Sequence, residues 1–197
     1  MRKAMMAIRT LLPALGLLIP SGYAVATTAP EQSFPDLVHR AEMIVVGTVT
    51  GIQEQWDTAR QVPFTYVTFS QLTVLKGNPG GDSLTLEFLG GPTPEGTVLA
   101  VTEVPHFTVG EKTVVFSAGN HRDFCPLVGI WQGLLRVQFD PQRAVEIVSD
   151  NAHRPIIGVQ NGRFLKLRPQ GPTQEALPLS TLLQLIEQEQ GRIYGRP

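Results

Sequence analysis

The sequence predicts a mainly β protein in which glycine-jointed strands coil and close into one small barrel. Two observations favour this fold. The first predicted strand is apolar on both faces and holds interior glycines, and the second needs a β-bulge to keep its apolar side chains on one face. A short N-terminal helix, a C-terminal β-ribbon and a terminal α-helix complete the predicted order of elements.

Residues 1–26 are predicted to be a signal peptide. Three basic residues precede a short apolar run at 11–19, and Ala24-Val25-Ala26 supplies the small-x-small cleavage pattern. The run holds roughly ten residues, which is too few for a membrane span of about twenty. We therefore expect an exported protein, periplasmic or secreted, with no transmembrane segment in its mature form. Its mature chain would begin at Thr27, or at Val25 if cleavage follows Ala24.

The composition argues against a nucleic-acid partner and against a need for stabilising disulfides or metals. Cleavage after Ala26 would leave 171 of the 197 residues and lower the formal net charge from −1 to −4, because three of the 16 basic residues lie in the leader. A chain of this length can bury about 70% of its unfolded surface, so it needs no disulfide or metal for stability. The negative charge disfavours nucleic acid. No phosphate loop or dinucleotide fingerprint is present, and we expect no cofactor.

The first two elements follow from local patterns. Ser33 and Asp36 are spaced as in a helix capping box, and Pro35 suits the first turn, so one or two helical turns are expected up to residue 41. Segment 43–52 is rich in β-branched residues on both faces, which predicts a buried strand. Glycines inside it mark bends or close backbone approach.

A bulge is predicted in the second strand. Apolar alternation fails between Phe69 and Leu72, and one extra residue at Ser70 or Gln71 would restore it. The side chains that the bulge would align are Val67, Phe69, Leu72 and Val74. Such a bulge coils a long strand, as a small barrel requires.

The middle of the chain alternates turns and strands. Asn78-Pro79-Gly80-Gly81 predicts a chain reversal, followed by a half-buried strand at 84–88 whose wet face holds Glu87. A strand is predicted at 97–104 and a loop at 105–110. Further strands follow at 112–119 and 128–140, where glycines beside Trp131 allow close backbone approach.

Residues 27–140 are assigned to the barrel, and residues 141–197 to an appended β-ribbon and helix. Short strands joined by polar turns favour a ribbon rather than a large sheet. The final helix is expected to begin at Ser180 or Thr181 and to stop at Gly191, with an apolar stripe that includes Leu182 and Ile186.

Three segments resemble a known barrel. They are AEMIVVGTV (41–49), LTVLKG (72–77) and FTVGEKTVVF (107–116). Their order is similar to the OB-like barrel of netrin modules and tissue inhibitors of metalloproteinases, and to bacterial exported proteins of uncharacterised function with that barrel. The tail, with PIIGVQNG and PLSTLLQLIEQ, resembles the same bacterial group. The resemblance implies five barrel strands and a protease-binding edge formed by the mature N-terminus and nearby loops.

The zinc-chelating start of the animal inhibitors is missing from this chain. Those proteins begin with a disulfide-linked cysteine whose backbone chelates the zinc of the target, whereas this mature chain would begin at Thr27 and contains one cysteine. Cys125 is expected to be a small buried hydrophobe, or alternatively an exposed thiol that pairs with another chain. His121, Asp123 and Cys125 alternate and would share one face of an extended segment, which makes them candidate metal ligands.

The sequence predicts a binding protein rather than an enzyme. Docking loops are expected at 55–60, 92–96 and 105–110, with Trp56 and Phe107 as aromatic anchors, although Trp56 also suits a core. The binding candidates are Thr27, Trp56, Pro92, Glu95, His106 and Phe107. The partner would be a protein, conceivably an exported metalloprotease. The alternatives are a small-ligand or oligosaccharide binder that uses an open barrel face, and a hydrolase with an unrecognised site.

Overall fold

A computed structural model describes residues 30–167, 175–193 and 195 of the chain. The predicted signal peptide and Thr27 lie outside the described residues. The elements, in chain order, are α1 (Phe34–Arg40), β1 (Met43–Asp57), β2 (Val62–Lys76), β3 (Leu84–Leu89), β4 (Gly91–Pro92), β5 (Val98–Leu99), β6 (Lys112–Ser117), a 3-10 turn (Ile130–Gly133), β7 (Leu134–Asp140), β8 (Val145–Ser149), β9 (Ile156–Gln160), β10 (Arg163–Lys166) and α2 (Leu179–Ile193).

The predicted mainly β class is confirmed. Six strands form one antiparallel sheet in the order β3-β2-β1-β6-β7-β8, and β4 with β5 and β9 with β10 form two small hairpins. Within the described part of the chain, the outer strands β3 and β8 are not hydrogen-bonded to each other, so the sheet does not close into a continuous barrel. Neither described helix is long and apolar enough to cross a membrane.

The predicted bulge in β2 is confirmed. Val46 lies opposite Thr73 and Thr48 lies opposite Ser70, so Gln71 and Leu72 together face the single residue Gly47. Gln71 has a left-handed φ of 55°, which shortens the strand locally and increases its twist. The bulge directs Leu72 toward the core, but Val74 is 43% exposed, so the expected alignment ends at Leu72.

The sheet separates two apolar clusters. The inner cluster joins side chains from β1, β2, β3, β6 and β7, among them Val45, Phe69, Phe88, Val115 and Leu134. The outer cluster packs the opposite face against both helices. Because β3 and β7 contribute to one cluster, the sheet curves strongly around the inner side chains.

Both helices hold the outer face in place. Ser33 accepts a hydrogen bond from the Asp36 amide, and the Asp36 side chain accepts one from the Ser33 amide, which completes the predicted capping box. In α2 the expected stripe is confirmed, because Leu182 and Ile186 are fully buried. The predicted helix bounds were wrong: α2 begins at Leu179 and continues through Gly191.

Two strand predictions need correction. The expected strand at 97–104 is reduced to Val98–Leu99, and the residues that follow cross the sheet without regular pairing. After residue 140, β8 does not belong to a separate ribbon, because it pairs with β7 in the main sheet. The turn at 141–144 joins β7 to β8, and the turn at 150–155 separates β8 from the β9–β10 hairpin.

Loop 118–127 closes the gap beside β3. The amide of Leu89 donates to the carbonyl of Phe124 at 2.8 Å. The Asn120 side chain accepts from the Glu87 amide at 3.0 Å and donates to the Thr85 carbonyl at 2.9 Å, so it occupies the place of a neighbouring strand. The free edge of β3 is thereby satisfied without another strand.

Gly133 has a strict spatial role. A Cβ there would lie 2.7 Å from the Val128 carbonyl and 2.8 Å from the Phe116 carbonyl, so only glycine allows these backbones to meet. The sequence-based expectation of close approach beside Trp131 is confirmed. Gly191 contrasts with it, because nothing lies within 4 Å of a Cβ built there.

Replacing Gly133 with Ala should therefore lower the free energy of unfolding by about 1–3 kcal/mol, the usual cost of overpacking. The matched variant Gly191→Ala lies inside a helix and should raise it by about 0.5 kcal/mol. Urea unfolding followed by far-ultraviolet circular dichroism measures both. Equal stability of Gly133→Ala and wild type would contradict the close approach.

Candidate functional site

A cavity lies beside the far half of β1. It has a volume of about 430 Å³. Its base is formed by side chains of β1, β2 and β3, and the irregular segment 98–107 covers it. Representative apolar lining residues are Ile52, Val67, Phe88, Leu99, Val101 and Phe107. An apolar cleft of this size is the usual form of a binding site for a small molecule or an anchoring side chain.

Phe107 forms part of the cavity wall. Its ring meets Phe69 edge to face, with centroids 5.8 Å apart, and lies 5.0 Å from the ring of Phe88. These contacts make Phe107 half-buried, so it is not the exposed loop anchor that the sequence suggested. The aromatic cluster fixes the covering segment to the inner core on its apolar side.

Arg136 fixes the same segment on its polar side. The side chains of Arg136 and Glu111 are only 7% and 15% exposed, and they form an ion pair. The guanidinium also donates to the His106 carbonyl at 2.9 Å and to the Asn151 carbonyl and side-chain oxygen at 3.0 and 2.8 Å. Arg136 therefore links β7 with the loop before β6 and with the turn after β8.

The structure places the other predicted site residues at different distances from this cavity. His106 lines it with its neighbour Phe107, while its side chain is exposed. Pro92 lies on β4 and Glu95 in the exposed turn of the β4–β5 hairpin, whose strands line the cavity. Trp56 is half-buried near the end of β1, within a strand rather than in the predicted loop.

The three candidate metal ligands do not converge. No group of three or more His, Cys, Asp or Glu suited to a metal occurs among the described residues. Instead, His121 Nδ1 lies 3.3 Å from a Glu87 carboxylate oxygen. Cys125 is packed in the inner core, and burial raises its thiol pKa to about 12. The expectation of a buried cysteine is confirmed, and a thiol held this way is neutral and inert.

Sequence reasoning missed the ionic cluster around Glu87. This residue was expected on the wet face of β3, yet it is 3% exposed. Its carboxylate accepts from Arg60 Nη1 at 2.7 Å, and Tyr66 lies opposite it on β2. The hydrogen bond from Arg60 holds the pKa of Glu87 below its ordinary value of 4.5, although burial acts in the opposite direction.

No local pattern could have revealed these ionic partners. Arg60 lies in the β1–β2 turn and Glu87 on β3. Arg136 lies on β7 and Glu111 just before β6, so both pairs form only when distant segments assemble in the sheet. A single charged residue in an alternating strand normally indicates a solvated face. The sequence of segment 98–107 likewise has no pattern that would have indicated its place beside the cavity.

This geometry defines a mainly β protein. Its antiparallel sheet is strongly curved, and an apolar cavity lies between the sheet and segment 98–107. Comparison with models of known protein families and with curated protein sequences finds no match to the chain.

Removing the positive partner of the buried pair should be costly. Arg136→Met should lower the free energy of unfolding by about 3–5 kcal/mol, because it leaves the Glu111 carboxylate buried without its cation. The double variant Arg136→Met, Glu111→Met should recover much of that loss. Denaturant unfolding of both single variants and the double variant gives the coupling energy. Hydrogen exchange at residues 105–111 should accelerate in the single variant, and unchanged exchange would contradict the anchoring role.

Glu87→Gln should lower the free energy of unfolding by about 1–2 kcal/mol at neutral pH, because a hydrogen-bonded charge is lost. Since the folded pKa of Glu87 is depressed, its contribution is present above pH 4.5 and is lost as pH falls through the folded pKa. The difference between wild type and variant should therefore shrink below pH 4.5. Urea unfolding across pH 3 to 7 tests this, with the exposed Glu187→Gln as control. A difference that grows on acidification would refute it.

Proposed function

We propose that the protein is an exported, non-enzymatic binding protein that docks a protein partner through the covered cavity. An apolar side chain of the partner would enter the cavity, and the surrounding loops would contact the partner's surface. The observation that carries this proposal is an apolar cavity whose rim is itself apolar and exposed.

The exposed rim supports docking of a protein surface. Val98 is 71% exposed, and Ile52 and Leu99 are 36% and 37% exposed, and all three line the cavity. Exposed apolar side chains that surround a pocket are a feature of protein interfaces, in which one buried anchor contributes much of the binding energy.

The finer fold is also a proposal, namely an OB-like barrel that is open at this cavity. Support comes from the shared inner cluster, in which Leu84 and Phe88 of β3 join Leu134 at the start of β7. Loop 118–127 links β6 to the outer strand β3, because Phe124 accepts from the Leu89 amide and Leu127 forms a β-bridge with Ser117. OB-like barrels are partly open and commonly bind through an exposed face and its loops.

A secreted metalloprotease is the partner class that the resemblance suggests. The loops at 92–96 and 105–110 border the cavity and would form part of the contact, with His106 and Glu95 at its edge. Thr27, the first residue of the proposed mature chain, lies outside the described residues. We propose no zinc chelation by the cavity itself.

A small apolar ligand is the second candidate. The cavity volume of about 430 Å³ lies within the range for small-molecule sites, about 300–1,000 Å³. The largely apolar lining favours a lipid-like or aromatic ligand over an oligosaccharide. Native mass spectrometry of the purified protein would detect such a ligand as a discrete added mass.

Filling the cavity tests the function. Ala100 lines the cavity on the irregular segment and is exposed, so Ala100→Trp adds bulk with little cost to folding. We expect the partner recovered from the exported fraction of the native host to bind the wild type stoichiometrically and the variant at least about tenfold more weakly, the effect of losing an anchor. Calorimetric titration measures the affinities.

Gln188→Trp is the matched control, because it adds the same side chain to an exposed position of α2. It should bind like wild type. Equal affinity of the partner for Ala100→Trp and for wild type would contradict the proposal that the partner docks at the cavity. Turnover of ester, peptide or glycoside substrates, lost on alanine replacement of one polar residue, would refute the non-enzymatic part.

A further inference from the structure

We infer that the segment which enters the cavity carries positive charge beside its apolar anchor. This inference rests on the proposed docking function and specifies the chemistry of the partner. The recognised motif would be a large apolar residue flanked by Lys or Arg. Two observations point to this class of peptide. Acidic side chains lie around the cavity mouth, and the described lining contains no Lys or Arg.

Acidic side chains surround the cavity on different elements. Glu54 on β1 and Glu103 on the covering segment both line it. Glu95 lies in the exposed turn between β4 and β5, whose Gly91 and Val98 also line the cavity. Glu54 and Glu103 therefore approach one apolar space from segments that are distant in sequence, and Glu95 lies in the hairpin beside that space.

These carboxylates have no cation of their own in the described chain. None of Glu54, Glu95 and Glu103 forms an ion pair among residues 30–167, 175–193 and 195. The cavity lining within that part includes no Lys or Arg, and the other titratable lining side chain is His106. Arg136, which contacts the adjoining loop, is already paired with Glu111.

Several carboxylates elsewhere in the described chain form ion pairs, unlike those at the cavity. Asp57 and Glu87 share Arg60, Glu42 pairs with Arg122, and Asp150 pairs with Arg154 and Lys166. The acidic groups at the cavity are thus left to interact with a ligand. An apolar wall beside them lowers the local dielectric and strengthens attraction to a cation.

Complementary charge at a rim acts mainly on the association rate and on partner choice. A Lys or Arg next to the anchor would lie at the mouth, near Glu54 or Glu103, while its neighbour filled the cavity. An acidic peptide would meet only like charge there. The expected signature is tight binding at low ionic strength that weakens as salt is added.

Random-peptide display on the purified protein tests the inference, with Ala100→Trp protein used to remove peptides that bind elsewhere. Peptides that depend on the cavity should combine a large apolar residue with adjacent Lys or Arg and should be poor in Asp and Glu. In a synthetic copy of the best peptide, Gln in place of the basic residues should weaken binding about tenfold at low salt.

Variants of the protein provide the matched comparison. Glu54→Gln and Glu103→Gln should each lower the association rate about threefold or more and flatten its salt dependence, while Glu187→Gln on the exposed side of α2 should not. Cavity-dependent peptides that are neutral or acidic, or Gln copies that bind equally well, would overturn the charge inference and leave the docking function standing. Enrichment of no cavity-dependent peptide would overturn both.

Discussion

The coiling of β1 against β2 is the constraint on which the rest of the structure depends. Both strands run for 15 residues, and register shifts at the Gln71 bulge and again near Thr50 increase their twist. Only the first part of β1, Met43 to Thr48, pairs with β6. Beyond that point β1 and β2 continue without a strand on the β6 side, so the inner face is left open there. Segment 98–107 covers that opening, which is why the cavity lies where it does.

The edges of the curved sheet are covered by loops and side chains rather than by further strands. Asn120 satisfies the backbone of β3, and Phe124 accepts from its last amide. At the other end, Leu177 accepts from the Val148 amide in β8. Contacts of this kind block the addition of another strand along the covered parts of both edges.

The sequence was informative where structure is local. The capping box, the Asn78 turn, the bulge at Gln71 and the strands β1 to β3 each depend on neighbouring residues, and the structure contains them. It was uninformative where distant segments meet. The covering segment has no periodicity, and Glu87 and Arg136 look like solvated charges until the coil brings their partners near. The cavity mouth belongs to this second group, so loops 92–96 and 105–110 could be predicted as exposed but their shared cavity could not.

Buried charges and charges at the cavity have different roles: the buried pair holds the fold, and the others are available for the proposed binding. The pair Arg136 and Glu111 is taken out of water, and such a pair seldom adds net stability, but it allows only one arrangement of the loop that carries Phe107. The cavity wall is then fixed by an aromatic contact on one side and an ionic contact on the other. Glu54 and Glu103 contribute to neither contact. Because the fold does not use these carboxylates, their position around an apolar space is free to serve recognition.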